Sequence, residues 1–170
     1  RATKLPIVLY NIPGRCGVEI AVDTVKRLAA DCKNIVGIKE AGGSCDRVSQ
    51  LRAALGPKFE ILSGDDSLTV PFMSVGANGV ISVASNVIPR EVSQMVNAFL
   101  RGDARKALAL HSKFYPLFKD LFIETNPTPV KAALAMMKLI EEEYRLPLVP
   151  MNPKNWDALR TTLKRCDVLD

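Results

Sequence analysis

Four short apolar runs, Ile7 to Tyr10, Ile35 to Ile38, Phe59 to Leu62 and Gly79 to Val83, recur along the first half of the chain with amphipathic stretches between them. Each run is too short for a buried helix and is apolar on both faces, the pattern of strands in a parallel sheet covered by helices. The stretches between them predict helices over Val22 to Ala30, over Cys45 to Leu55 with Ser44 as N-cap and Gly56-Pro57 as stop, and over Leu68 to Val75 capped by Asp66 or Ser67. Strand and helix in alternation make an α/β architecture with right-handed crossovers.

After Val83 the strand signal ceases. Glu91 to Leu100, Ala104 to Phe122, Thr128 to Ile140 and Asn155 to Arg165 read as helices, separated by Gly102-Asp103, Asn126-Pro127 and the Pro147 to Pro153 cluster. Pro129 falls in a first turn, where its missing N–H costs nothing. No low-complexity segment or long linker divides the two halves, which reads as one cooperative unit with a C-terminal helical extension.

Composition narrows the function classes. With 24% charged and 48% hydrophobic residues, the 170-residue chain is neither collagen-like, disordered nor a disulfide scaffold. No run of about 18 apolar residues is present to span a membrane, and no leader pattern follows Arg1, so the chain reads as cytoplasmic. Cys16, Cys32, Cys45 and Cys166 lack metal-ligand spacing and His111 is the only histidine, which suggests neither a zinc site nor a disulfide framework. A net charge of +5 favours an acidic small-molecule substrate. Dispersed Lys and Arg residues without interleaved aromatics argue against a nucleic-acid partner.

In a parallel α/β sheet the site lies beyond the carboxyl ends of the strands. Those ends are Tyr10-Asn11-Ile12-Pro13-Gly14-Arg15, Lys39-Glu40-Ala41-Gly42-Gly43, Ser63-Gly64-Asp65-Asp66 and Ser82-Val83-Ala84-Ser85-Asn86. Lys39 closes an apolar run. In an apolar interior, desolvation would favour its neutral amine, the form that attacks a carbonyl; the alternative is a strand-end lysine paired with a carboxylate. Tyr10 and Arg15 flank a tight Asn-Ile-Pro-Gly turn and could present a phenol and a planar guanidinium at one rim, or be a core tyrosine and a surface arginine. Gly14 and Gly64 read as positions of close backbone approach or positive φ. Asp65-Asp66 reads as a helix cap rather than a metal pair. His111 reads as a partly buried or surface histidine, and Glu141-Glu142-Glu143 as a solvated face.

Taken together, Tyr10-Asn11-Ile12-Pro13-Gly14-Arg15, Gly37-Ile38-Lys39-Glu40-Ala41, Leu62-Ser63-Gly64-Asp65-Asp66 and Gly79-Val80-Ile81-Ser82-Val83, in this order and spacing, resemble the dihydrodipicolinate synthase family of pyruvate-dependent class I aldolases. The resemblance continues through Asn126-Pro127-Thr128-Pro129-Val130-Lys131 into the C-terminal helices. Arg15 tilts it toward the synthases and away from neuraminate lyases, which share the Tyr-Asn-x-Pro turn.

The resemblance implies that Lys39 forms an imine with pyruvate and that the derived enamine attacks aspartate semialdehyde, in the diaminopimelate route to lysine, with no cofactor and no metal. It implies Tyr10 as the proton relay, Arg15 as the ligand of the semialdehyde carboxylate, and Gly64 and Ile81 as backbone groups lining the pyruvate pocket. It implies a fold that is the C-terminal half of a (β/α)8 TIM barrel, with a half-barrel of four βα units over residues 1–100 and a helical extension over residues 101–170. Absent with the first half are the paired threonines that hold the pyruvate carboxylate, the tyrosine contributed across the dimer interface and the lysine-feedback site. Arg1, with no initiator methionine before it, reads as a cut edge. An open half-barrel would expose two parallel edges and an apolar interior, so the expected partner is a complementary N-terminal half or further copies of the chain. The alternatives are a catalytically inactive, self-associating half-barrel and another pyruvate aldolase of the neuraminate lyase type.

Overall fold

Strands β1 (Ile7–Asn11), β2 (Ile35–Glu40), β3 (Glu60–Ser63) and β4 (Gly79–Val80) form one sheet in the order β1-β2-β3-β4, every neighbouring pair parallel. A computed structural model describes residues 3–170; Ala2 and Arg1, where the sequence reading puts a cut edge, lie outside the described residues. Helices α1 (Pro13–Cys16) and α2 (Val22–Asp31) follow β1, α3 (Cys45–Leu55) follows β2, and a 3-10 turn (Asp66–Leu68) runs into α4 (Thr69–Ser74) after β3. Residues up to Ile81 make one packed unit and Ser82–Asp170 a second.

The register settles which side chains share a face. Tyr10 pairs with Lys39, and Lys39 with Leu62, so these three project to one side. Asn11, Glu40 and Ser63, also in register, project to the other, because side chains alternate along a strand. The second side is the covered one. Ile38 and Ile61 are fully buried there, in the core that also holds Val25 of α2 and Val48 and Leu51 of α3. The first side is open: Val8 is 42%, Tyr10 47% and Ile81 42% exposed. Helix cover of the apolar runs holds for one face only, and the uncovered face is apolar, as expected of an open half-barrel. The helices of this unit cover one face, and a parallel sheet, normally buried on both, is left with an apolar face toward solvent.

Several boundaries also differ from the sequence reading. The fourth strand does not run to Val83: its ladder ends as Ile81 N–H donates to Ser63 O at 2.9 Å, and a 3-10 turn over Ala84–Asn86 follows, with Ser82 Oγ accepting from Ser85 N–H at 2.8 Å. Neither Asp66 nor Ser67 caps the helix after β3. Asp65 does, its Oδ1 accepting from Ser67 N–H at 2.8 Å, and the helix begins as a 3-10 turn and ends at Ser74. Ser44 caps α3 as expected, accepting from Arg47 N–H at 3.1 Å.

The second unit is helical: α5 (Pro89–Leu100), α6 (Ala104–Asp120), α7 (Thr128–Met136) and α8 (Pro153–Arg165). Helix α6 packs on α5 and α8, and α8 on α7, around buried Met95, Phe114, Leu117, Leu159 and Leu163. Thr162 Oγ1 donates to Asp120 Oδ2 at 2.6 Å, tying α8 to the end of α6. The third predicted helix of this half stops at Met136 rather than Ile140, because Lys138 takes a left-handed φ of 60° and Leu139 N–H turns back to Leu134 O. Likewise α6 ends at Asp120, short of Phe122. Among the described residues no helix is long and apolar enough to cross a membrane.

Candidate functional site

The carboxyl ends of β1, β2 and β3 bring Tyr10, Lys39 and Gly64 together. Lys39 Nζ stands over the face of the Tyr10 ring, 4.1 Å from its centroid, at cation–π distance. Among the described residues Lys39 has no carboxylate partner, so the ion-paired reading of this lysine is not what the structure shows. Its stem lies along Gly64: a Cβ there would sit 3.1 Å from Lys39 Cε and 2.7 Å from Ala41 Cβ. Gly64 is thus a position of close approach. Gly14 is not. It has ordinary φ and open space where a Cβ would go, and the left-handed residue of this loop is Gly17, at φ 69°. The segment after Ile12 forms the single-turn helix α1, with Pro13 in its first turn and Gly17 as its C-cap. Arg15 sits exposed on that turn.

Ile81 continues the line of β4 on the open face. The backbone N–H groups of Gly64 and Ile81 are both used by the sheet, donating to Glu40 O at 2.8 Å and to Ser63 O at 2.9 Å.

Behind this face lies a polar cluster that sequence reasoning missed. Glu40, next to Lys39 but on the covered side, is fully buried. Its Oε1 accepts from Asn11 Nδ2 at 2.9 Å and Gly42 N–H at 2.6 Å, and its Oε2 accepts from Arg47 Nε at 2.8 Å. Arg47 also donates to Ile20 O and pairs with Glu19 at 3.4 Å, while Ile20 N–H donates to Asn11 Oδ1 at 2.9 Å. The available signal was a glutamate at a helix-facing strand position with an arginine in the first turn of the next helix, since a buried carboxylate demands a partner.

A cleft of about 750 Å³ opens at the opposite, N-terminal ends of β1 and β2, lined by Thr3, Pro6, Ile7, Asn34 and Ile35. Lys4, Asp31, Cys32 and Lys33 also line it, and neither Lys39 nor Tyr10 does. Among the described residues no cluster of His, Cys, Asp and Glu could hold a metal ion. His111 lies partly buried on α6, with Tyr115 and Phe118 near its ring.

Residues 1–166 match the model of the dihydrodipicolinate synthetase family. The chain is 53% identical over 161 residues to 4-hydroxy-tetrahydrodipicolinate synthase of Aquifex aeolicus, an alignment covering 95% of this chain and 55% of that protein. Among solved structures, it resembles the 4-hydroxy-tetrahydrodipicolinate synthase of Methylacidiphilum fumariolicum SolV with a TM-score of 0.96 and 64% identity, over 97% of this chain and 55% of that one. The Aquifex aeolicus dihydrodipicolinate synthase structure aligns with a TM-score of 0.96 at 52% identity, over 98% and 57%. The chain spans about half the length of the curated relatives it matches.

Proposed function

The chain belongs to the dihydrodipicolinate synthetase family, and we propose that it is the C-terminal half of a pyruvate-dependent synthase, carrying the imine lysine but only part of the site. The family uses a Schiff-base lysine and no cofactor. On this reading Lys39 is that lysine: its Nζ adds to the ketone carbon of pyruvate and water leaves. Loss of a methyl proton from the imine gives an enamine, whose carbon attacks the aldehyde of aspartate semialdehyde. The observation that carries the reading is Lys39 Nζ on the open sheet face, 4.1 Å from the Tyr10 ring and, among the described residues, without a carboxylate to hold it.

The other residues take roles their chemistry allows. Tyr10, half exposed on the same face, relays protons through its hydroxyl. Arg15 offers a guanidinium fork to the semialdehyde carboxylate, which supports a synthase over a lyase of the neuraminate type. With the amides of Gly64 and Ile81 engaged in the sheet, their contribution to a pyruvate pocket falls to carbonyl oxygens and shape.

The exposed Val8, Tyr10 and Ile81 support a complementary N-terminal half as the partner, supplying the remaining strands and the groups that hold the pyruvate carboxylate. The same apolar face favours self-association as the second reading, an inactive oligomer of half-barrels. Adding an N-terminal half separates them: it restores condensation on the first reading and leaves an inactive oligomer on the second. The isolated chain gives little or no condensation of pyruvate with aspartate semialdehyde and does not sediment as a stable monomer. Substantial turnover by the isolated chain would overturn the assignment of an incomplete site, and a stable monomer would overturn the need for a covering partner.

A further inference from the structure

Glu40 is adjacent to Lys39 in β2, yet its side chain faces away from the open site. Its carboxylate is fully buried and accepts from side chains and backbone of three elements: Asn11 at the end of β1, Gly42 just after β2, and Arg47 in the first turn of α3. Asn11 and Arg47 then reach the same residue, Ile20, one accepting its N–H and the other donating to its carbonyl. Residues 12–20 therefore leave β1 at Asn11 and are returned to it at Ile20, and Arg15 stands on the loop so closed. At the strand end the carboxylate takes Gly42 N–H, the residue just after β2, while backbone bonds of the sheet, Ala41 N–H to Asn11 O at 2.9 Å and Gly64 N–H to Glu40 O at 2.8 Å, hold the neighbouring strands where the stem of Lys39 has little room.

We propose that Glu40, acting through Asn11 and Arg47, is the positioning residue of this site: its buried carboxylate holds the end of β2 that presents Lys39 and closes the loop that presents Arg15. The proposal rests on the reading of Lys39 as the imine lysine for its chemical consequence, and on geometry alone for the loop. A carboxylate is required because every partner is a donor. Glu40→Gln is isosteric, but its amide nitrogen would face either Gly42 N–H and Asn11 Nδ2 or Arg47 Nε, a donor against a donor.

The loop carries its own reporter, because trypsin cleaves after Arg15. In Glu40→Gln, cleavage after Arg15 under native conditions accelerates by roughly 10- to 100-fold, the population effect of losing a charged hydrogen bond that closes the loop. Cleavage after other Lys and Arg residues stays as in the parent. With pyruvate and borohydride, the limiting rate of trapping at Lys39 falls by roughly 10- to 100-fold, as expected for a displaced nucleophile, while the pyruvate concentration at half-saturation holds. If Glu40→Gln does not fold, Arg47→Lys serves. It keeps a cation for Glu40 but loses the donor to Ile20 O, so cleavage after Arg15 accelerates while trapping falls less. A folded Glu40→Gln protein with parental cleavage and trapping would overturn the proposal, as would acceleration spread evenly over all cleavage sites, the mark of general destabilisation. If the parent chain itself is not trapped by pyruvate, the reading of Lys39 fails, and the Arg15 cleavage still decides whether Glu40 closes the loop.

Discussion

Lys39 and Tyr10 are register partners across the β1–β2 pair, and the lysine Nζ lies 4.1 Å from the centre of the phenol ring. The aromatic face supports the amine from below while the hydroxyl is left at a partly open surface, so the two parts of the tyrosine side chain are separable by mutation.

Tyr10→Phe keeps the ring and removes the hydroxyl. The variant keeps the stability of the parent to within about 0.5 kcal/mol, as a half-exposed group allows. Borohydride trapping of pyruvate still reaches Lys39, but the rate of imine formation falls by roughly 100-fold, the usual scale of a lost proton-transfer group. Thermal melting and a time course of trapping check the two halves of this statement.

Gly64→Ala tests the room given to the lysine stem. The new methyl would fall 2.7 Å from Ala41 Cβ and 3.1 Å from Lys39 Cε, with Glu40 O at 3.3 Å. Backbone and Lys39 must both shift, costing about 1–3 kcal/mol in denaturant unfolding. Trapping at Lys39 falls with it. Gly14→Ala, where the added methyl meets open space, changes neither measurement.

Arg52 should be the most costly arginine to lose from the first unit apart from Arg47. It donates to Phe59 O at 2.9 Å, Gly76 O at 2.7 Å and Asn78 Oδ1 at 2.8 Å, and also to Gly56 O, joining the turns that precede β3 and β4. Arg52→Met leaves these acceptors without their shared partner and lowers stability by about 2–4 kcal/mol, read from the urea midpoint.

His111 makes the second unit sensitive to mild acid. Burial lowers its pKa below the ordinary 6.5, and its Nδ1 has no hydrogen-bond partner among the described residues. The unfolded chain therefore binds the proton more readily than the folded one. This contribution is fully in place above pH 6.5 and is lost as pH falls from there through the lower folded value. Melting temperature drops over that window, and the drop is smaller in His111→Gln.

The sequence reading located the strands and the three residues of the open face because their signals are local: an apolar run ending in a lysine, and glycine beside a strand end. That one apolar face would stay open follows from the resemblance, but hydropathy alone does not mark which row of residues lines it. Val8 and Ile81 are as apolar as Ile38 and Ile61, so hydropathy cannot tell which row has helices over it. Glu40 was passed over because one polar letter after Lys39 looks like any rim residue, and its burial depends on Asn11 and Arg47 arriving from other elements. The end of α7 was missed for a similar reason, since Lys138 adopts a left-handed φ with no glycine to announce it. At Asp65 the cap lies one residue before the two candidates the pattern favoured, Asp66 and Ser67, because the turn that follows starts as a 3-10 helix.

The central claim is that Lys39 is the imine lysine. Incubating the chain with pyruvate, reducing with borohydride and mapping the modified peptide by mass spectrometry tests it directly. The account predicts one reduced pyruvate adduct on Lys39, in preference to the other lysines, and its disappearance in Lys39→Arg. An unmodified Lys39, or an adduct scattered over surface lysines that persists in Lys39→Arg, would contradict it.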